Sequence, residues 1–289
     1  MPGTLGIIGG SGLYDLPGMS KVDELTVDTP YGPPSASVVT GHFNGHQVAF
    51  LSRHGSGHRL NPSEVHYRAN IHALKQLGVT HLVSISAVGS LQATLTPGTM
   101  VVPDQIIDRT IRGDRSFFEN GIVAHVSLAD PFCAGLSDAL TDEARKLDLP
   151  LHDGGTYVCI EGPQFSTRAE SHLYRTWDAG VIGMTAMPEA RLAREAGMCY
   201  AIVATVTDYD VWHDSEEDVS VASVLAVLAK NVDRSKRLIS ELASRDLPRC
   251  TSGCALAAIH AVSTHPDAID EDRNALLSFL TSSTSGTES

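Results

Sequence analysis

A chain of 289 residues, 42% of them hydrophobic, can bury a full core, and its length suits one large α/β domain or two small ones. Its 21 Lys+Arg against 34 Asp+Glu give a net charge of −13, which argues against a general nucleic-acid or anionic-membrane surface, so any anionic ligand must sit in a local pocket. Five cysteines without paired spacing, no charged-then-apolar amino terminus and no apolar run able to span a bilayer point to a reducing, cytoplasmic setting.

The apolar strand Leu5-Gly6-Ile7-Ile8 runs into Gly9-Gly10-Ser11-Gly12-Leu13. Successive backbone N–H groups and the Ser11 hydroxyl in such a turn make a concavity suited to phosphate, although a tight turn after an edge strand would use the same residues. Strands at 37–40 and 47–51 flank an Asn44-Gly45 hairpin signal, and this ribbon leads to Ser52-Arg53-His54-Gly55. Arg53 offers a fixed fork of donors for an oxyanion and His54 a neutral or cationic donor; a surface Arg-His pair is the plainer alternative. His58, His66 and His72 do not have zinc spacing.

An amphipathic helix over 64–77 ends at Gly78, and the strand 80–86 that follows runs into Ser86-Ala87-Val88-Gly89-Ser90. This is the third small-residue turn after an apolar run. Ligands of open α/β sheets gather beyond the carboxyl ends of strands, so the three turns suggest one shared crevice. Strands at 99–103 and 105–107 precede an irregular stretch, 108–125, long enough to be a lid, a site wall or a subunit contact.

A helix at 136–147 and a strand at 155–160 lead to Glu161-Gly162-Pro163-Gln164-Phe165-Ser166, where Phe165 either plugs the core or stacks on a planar ring. A helix at 168–177, a strand at 181–185 that ends near 186–189, a helix at 192–196 and a strand at 198–205 follow. That last strand delivers Thr207-Asp208-Tyr209-Asp210, two carboxylates where an apolar run ends, suited equally to an Asx-capped turn and to a binding site. A long helix spans 219–242, short helices are expected at 255–262 and 275–280, and 281–289 is a polar tail. Cys250 and Cys254 flank a turn, but only His260 and His265 could complete a zinc set there, so no metal is expected.

Taken in order, Ile7-Ile8-Gly9-Gly10-Ser11-Gly12-Leu13, Arg53-His54-Gly55, Ser86-Ala87-Val88-Gly89-Ser90, Ile160-Glu161-Gly162-Pro163-Gln164-Phe165-Ser166, Met184-Thr185 before Pro188-Glu189, and Thr207-Asp208-Tyr209-Asp210 closely resemble the 5'-methylthioadenosine phosphorylases. These are a branch of the trimeric purine nucleoside phosphorylases, and the match runs over about 5–242. The resemblance implies a single α/β domain with a mixed, twisted central sheet surrounded by helices, assembled as a homotrimer. By it, residues 1–246 form the nucleoside phosphorylase domain and 247–280 a helical extension closing the 5' pocket. The implied reaction is phosphorolysis of methylthioadenosine to adenine and 5-methylthioribose 1-phosphate, with phosphate as co-substrate and no metal or organic cofactor.

The same resemblance assigns Ser11, Arg53, His54, Ser86, Ala87 and Thr185 to phosphate, Phe165, Ser166 and Met184 to base and ribose, and His125, Val221 and Val224 to the 5' group, with His125 reaching across a trimer interface. Serine at 11 and 86, where many relatives have threonine, keeps the hydroxyl and removes a methyl. Cleaving an N-glycosidic bond places positive charge on the ribosyl ring and negative charge on the purine, so a proton donor is required at N7. Asp208 matches that donor, and burial together with Asp210 would raise its pKa. Relatives preferring 6-oxopurines carry asparagine there, so adenine is the expected base. A 6-oxopurine or methylthioinosine phosphorylase, a hydrolytic nucleosidase and a non-catalytic purine-binding protein are the alternatives.

Overall fold

A computed structural model describes residues 3–10, 13, 18–213 and 221–282, the side chains of 221–226 excepted. One eleven-stranded mixed sheet forms the middle layer. Its strands are β1 (Thr4–Gly9), β2 (Ser20–Leu25), β3 (Val38–Phe43), β4 (His46–Ser52), β5 (Val79–Ser90), β6 (Met100–Val102), β7 (Gln105–Arg109), β8 (Leu151–Asp153), β9 (Thr156–Ile160), β10 (Val181–Gly183) and β11 (Cys199–Asp208). Helices α1 (Tyr67–Gln76), α2 (Ala134–Lys146), α3 (Arg168–Thr176), α4 (Ala186–Glu195), α5 (Val221–Ala243) and α6 (Glu271–Thr281) complete the described architecture.

Strand alternation divides the core in two. Leu5 and Ile7 of β1 join Val83 of β5, Val203 of β11 and the inner faces of α2 and α5. Ile8, Leu82 and Ile202 point the other way, toward α1 and α4. The sheet is therefore covered on both faces, as its near-continuous apolar central strands require. The hairpin turn is as expected: Phe43 pairs with His46, and Asn44 (φ 48°) and Gly45 (φ 90°) take the positive φ values of a type I′ connection.

Strand β5 organises the crevice. It pairs in parallel with β1 through Ser84 and in parallel with β11 along most of its length, then picks up β10 in antiparallel register at Gly89 and Ser90. Between Ser84 and Gly89, β1 has left and β10 has not yet arrived. The sheet opens at that fork, and the turn expected over 86–90 is instead the last part of β5, kept in strand geometry by its pairing with β11.

Several boundaries differ from the sequence reading, each for a physical reason. Residues 20–25 form an edge strand although all six are exposed and mostly polar, so no apolar alternation marked them. Residues 151–153, also missed, pair only with β6. The helix expected at 192–196 begins already at Ala186, as α4, whose backbone leaves helical geometry only at Met187 (φ −116°, ψ 137°). The short helix expected at 255–262 is one 3₁₀ turn, Cys254–Leu256, whereas the other extends to Glu271–Thr281 behind an Asp270 cap that accepts from the Arg273 N–H.

The carboxyl-terminal segment packs on the domain. Leu280 and Ala258 are buried in its core, Lys75 of α1 donates to the Ser282 carbonyl, and Ala124 pairs with Val262 in an antiparallel bridge. The irregular stretch and the extension thus lie against each other.

Candidate active site

A cavity of about 590 Å³ occupies the fork. Arg53, His54, Ser86, Ala87 and Thr185 line one part of it, and Phe165, Met184, Asp208 and Asp210 also line it. Nine of the residues singled out from sequence therefore share one wall. Ser11 lies outside the described residues, although its neighbour Gly10 lines the cavity.

Arg53 sits just beyond β4, 2% exposed. Its Nε and Nη2 donate to both oxygens of Glu189 at 2.9 and 3.1 Å; Nη2 also faces Ser84 Oγ (2.6 Å) and the Ile8 carbonyl (3.3 Å), and Nη1 donates to the Ile85 carbonyl (3.1 Å). The guanidinium satisfies the carbonyls exposed where β1 and β5 part. Burial works against its charge, but the Glu189 carboxylate holds its pKa well above the ordinary arginine value. The fork of donors expected for an oxyanion is thus committed to Glu189, and of five N–H groups one, on Nη1, is left for a ligand.

His54 departs from expectation in a related way. Its Nδ1 lies 2.8 Å from the Leu60 carbonyl, which can only accept, so Nδ1 carries the proton. Burial first, then the Arg53 charge, push its pKa down to about 4, leaving a neutral ring at pH 7. Nε2 therefore presents a lone pair, so the neutral ring can accept a hydrogen bond there but not donate one.

Hydroxyls supply the remaining donors. Ser86 Oγ lies 3.4 Å from Thr185 Oγ1 and 3.3 Å from the Tyr157 hydroxyl, and Ala87 is exposed at the cavity. Thr185 stands where β10 gives way to α4.

The carboxylates owe their placement to a β-bulge. Val206 pairs with Val88 and Asp208 with Gly89, so Thr207 is an extra residue that resets the alternation of β11. Asp208 Oδ1 accepts from the Asp210 N–H (2.8 Å), an Asx turn that lets Asp210 adopt φ 51°. The Asx-capped turn is therefore present, and the two carboxylates it carries line the cavity. Asp208 Oδ2 lies 2.7 Å from Thr207 Oγ1, which is also 3.2 Å from the Val88 carbonyl. Thr207 has a single proton; when it goes to Val88, Oδ2 satisfies the hydroxyl only by carrying a proton itself.

Burial raises the pKa of Asp208, with the Asp210 charge adding to it and the bonds from Thr207 and the Asp210 N–H opposing. Burial raises Asp210 as well. Its Oδ2 is buried without a hydrogen-bond partner; the hydroxyls of Ser171 and Ser166 face this carboxylate and favour its charge, yet neither closes into standard hydrogen-bond geometry. Ser166 accordingly supports Asp210 and is not itself on the cavity wall. Gly89 is required opposite: a Cβ there would lie 3.0 Å from Asp208 Oδ1 and 3.3 Å from Asp210 Cβ.

Phe165 is 48% exposed at the cavity, which removes the core-plug alternative. Helix α5, which carries Val221 and Val224, also brings to the cavity two polar residues that sequence reasoning missed. Asn231 donates to the Val206 carbonyl (3.0 Å) and keeps Oδ1 unpartnered, and Ser235 Oγ is also unpartnered, both lining the cavity. Polar residues spaced i, i+4 on an otherwise apolar helix face were the available signal. The side chains of Val221 and Val224 on the same helix lie outside the described residues. His125 lines a second cleft with Arg115, Arg191 and Glu195, and no described residue beyond Ser235 lines the main cavity.

The phosphorylase superfamily model matches residues 4–244. The S-methyl-5'-thioadenosine phosphorylase of Geobacter sulfurreducens is 48% identical over 281 residues, covering 97% of this chain and 98% of that protein, and that of Rhodospirillum rubrum is 50% identical over 268 residues, covering 91% of each. Among solved structures, a methylthioadenosine phosphorylase from an antarctic soil metagenomic library superposes with a TM-score of 0.89 at 49% identity, covering 96% of this chain and 98% of that one. The Schistosoma mansoni methylthioadenosine phosphorylase in complex with adenine gives 0.80 at 38% identity, covering 83% and 91%. The chain belongs to the S-methyl-5'-thioadenosine phosphorylase branch of the phosphorylase superfamily.

Proposed function

We propose that the protein catalyses phosphorolysis of 5'-methylthioadenosine, releasing adenine and 5-methylthioribose 1-phosphate. The observation that carries this reading is the single cavity whose walls hold an anion-binding group at the sheet fork and a pair of raised-pKa carboxyls at the end of β11.

Phosphate binds against the Ser86 and Thr185 hydroxyls, Ala87, one Nη1 proton of Arg53 and Ser11. His54 Nε2 accepts from the phosphate hydroxyl, which turns the unprotonated oxygens toward C1'. Phosphate oxygen bonds to C1' as the C1'–N9 bond breaks, and the electron pair of that bond passes into the purine. Asp208 gives its proton to N7, and Asp210 stands beside it on the cavity wall. Phe165 and Met184 cover the base and sugar. The positive charge developing on the ribosyl ring lies near the bound phosphate, so the anion stabilises the transition state as well as attacking it.

The reaction needs no metal or organic cofactor. The chain works as a homotrimer, in which His125 and the adjoining extension reach the 5' side of a neighbour's cavity, while Val221 and Val224 form its apolar wall. No described helix is long and apolar enough to cross a membrane; five free thiols suit a reducing cytoplasm.

One assay tests the reading: methylthioadenosine, adenosine, methylthioinosine and inosine, each with and without phosphate. The expected result is phosphate-dependent release of adenine from methylthioadenosine. Turnover persisting in phosphate-free buffer would make the enzyme a nucleosidase, and much faster cleavage of methylthioinosine would make it a 6-oxopurine phosphorylase. Binding of the nucleosides with no base released at any phosphate concentration would leave a purine-binding protein.

A further inference from the structure

Four of the five cysteines, distant in sequence, meet in space. Cys133 precedes α2, Cys199 opens β11, and Cys250 and Cys254 come from the segment after α5. Their sulfurs all lie within 4.8 Å of one another, with Cys133 Sγ and Cys250 Sγ 4.0 Å apart. A disulfide holds its sulfurs about 2.05 Å apart, so these are thiols. Zinc–sulfur bonds of about 2.3 Å in a tetrahedron place neighbouring ligands about 3.8 Å apart, close to what is seen.

The backbone is shaped around this cluster. Gly253 adopts φ 64° and turns the chain between Cys250 and Cys254, whose spacing of three intervening residues falls within the zinc-ligand range. The Cys254 N–H donates to Cys250 Sγ at 3.4 Å, the kind of contact that stabilises a thiolate. A Cβ on Gly135 would lie 2.8 Å from the Arg249 carbonyl, so the first turn of α2 approaches the Cys250 loop as only glycine permits. The Cys133 N–H donates to the Tyr200 carbonyl (2.8 Å) and the Ala134 N–H to Ser252 Oγ (3.1 Å), locking three segments at one point. Buried isolated thiols pack as small hydrophobes, but four of them converging from three segments form a ligand set.

We propose that Cys133, Cys199, Cys250 and Cys254 bind one zinc ion as a closed tetrathiolate site that fastens the carboxyl-terminal extension to the domain. As the cation binds, four S–H bonds give up their protons and four Zn–S bonds form, leaving a complex of net charge −2. All four positions are filled by protein, so the ion is structural and takes no part in phosphorolysis. The two cysteines that sequence could relate only to His260 and His265 find their partners through the fold.

The test uses the full chain, purified with a reducing agent and without chelator, its metal measured by elemental analysis and native mass spectrometry. About one zinc per chain is expected, falling below about 0.1 in the Cys250→Ser/Cys254→Ser double variant. Should that variant fail to fold, wild-type protein exchanged into cobalt(II) provides the second measurement, with thiolate-to-cobalt charge transfer and tetrahedral d–d bands expected. Full-length reduced protein that retains no zinc after incubation and gel filtration would overturn the proposal. So would a mass four hydrogens low, showing two disulfides, or zinc that persists undiminished in a folded double variant.

Discussion

Arg53 and Glu189, 136 residues apart, form a bidentate ion pair with both side chains at most 2% exposed. The pair closes the gap where β1 and β5 diverge, and Tyr200 also donates to Glu189 Oε1 at 2.8 Å. Its first role is to fix the geometry of the fork, and the proposed contact with phosphate would use what remains of the guanidinium.

Removing one partner leaves the other charge buried and unpaired. Glu189→Gln is expected to cost about 3–5 kcal/mol of stability, the range for a broken buried ion pair. Urea unfolding monitored by circular dichroism measures it, and a loss below about 1 kcal/mol would mean that the fork is held by the carbonyl contacts alone.

Much of this framework is legible in the sequence. The apolar runs Leu5-Gly6-Ile7-Ile8 and Tyr200-Ala201-Ile202-Val203 locate the central strands, and the small and polar residues that end such runs locate the crevice. Glu189 was not assigned to Arg53, because nothing local in a helical Glu tells that it faces an arginine on another element. The bulge at Thr207 is equally silent, since an inserted ladder residue looks like one more β-branched strand residue. Polar β2 resembles a loop, and the cysteine cluster depends entirely on tertiary contact.

Gly89 shows how closely the carboxylates are packed. Gly89→Ala would press a methyl against Asp208 Oδ1 and Asp210 Cβ, which must give by a few tenths of an ångström, and turnover should fall by roughly 10-fold, short of the ~10²-fold cost of a full ångström. Thermal melting should change little by comparison. A variant with normal kcat would show that the Asp208–Asp210 turn has room to shift without consequence.

Burial disfavours charge on His54, so it contributes a defined pH dependence. Its folded pKa of about 4 lies below the ordinary value of 6.5. The unfolded chain therefore binds this proton first, and stability falls as pH drops from about 6.5 toward 4, by at most about 3 kcal/mol. His54→Asn should flatten that part of the stability–pH curve. An unchanged curve would place the acid sensitivity elsewhere.

Thr207 tunes the acid. Its hydroxyl favours the Asp208 carboxylate, so Thr207→Val should raise the Asp208 pKa further and move the alkaline limb of the kcat/KM profile to higher pH. A limb that stays in place, or moves to lower pH, would show that another group sets it.

The central claim is that Asp208 protonates the leaving purine, and the most direct measurement is the turnover of Asp208→Asn on methylthioadenosine and methylthioinosine at saturating phosphate. The account predicts a loss of at least ~10² on methylthioadenosine and a markedly smaller loss on methylthioinosine, whose 6-oxo group can accept from the new amide. Equal losses on both substrates, or full activity on methylthioadenosine, would contradict it.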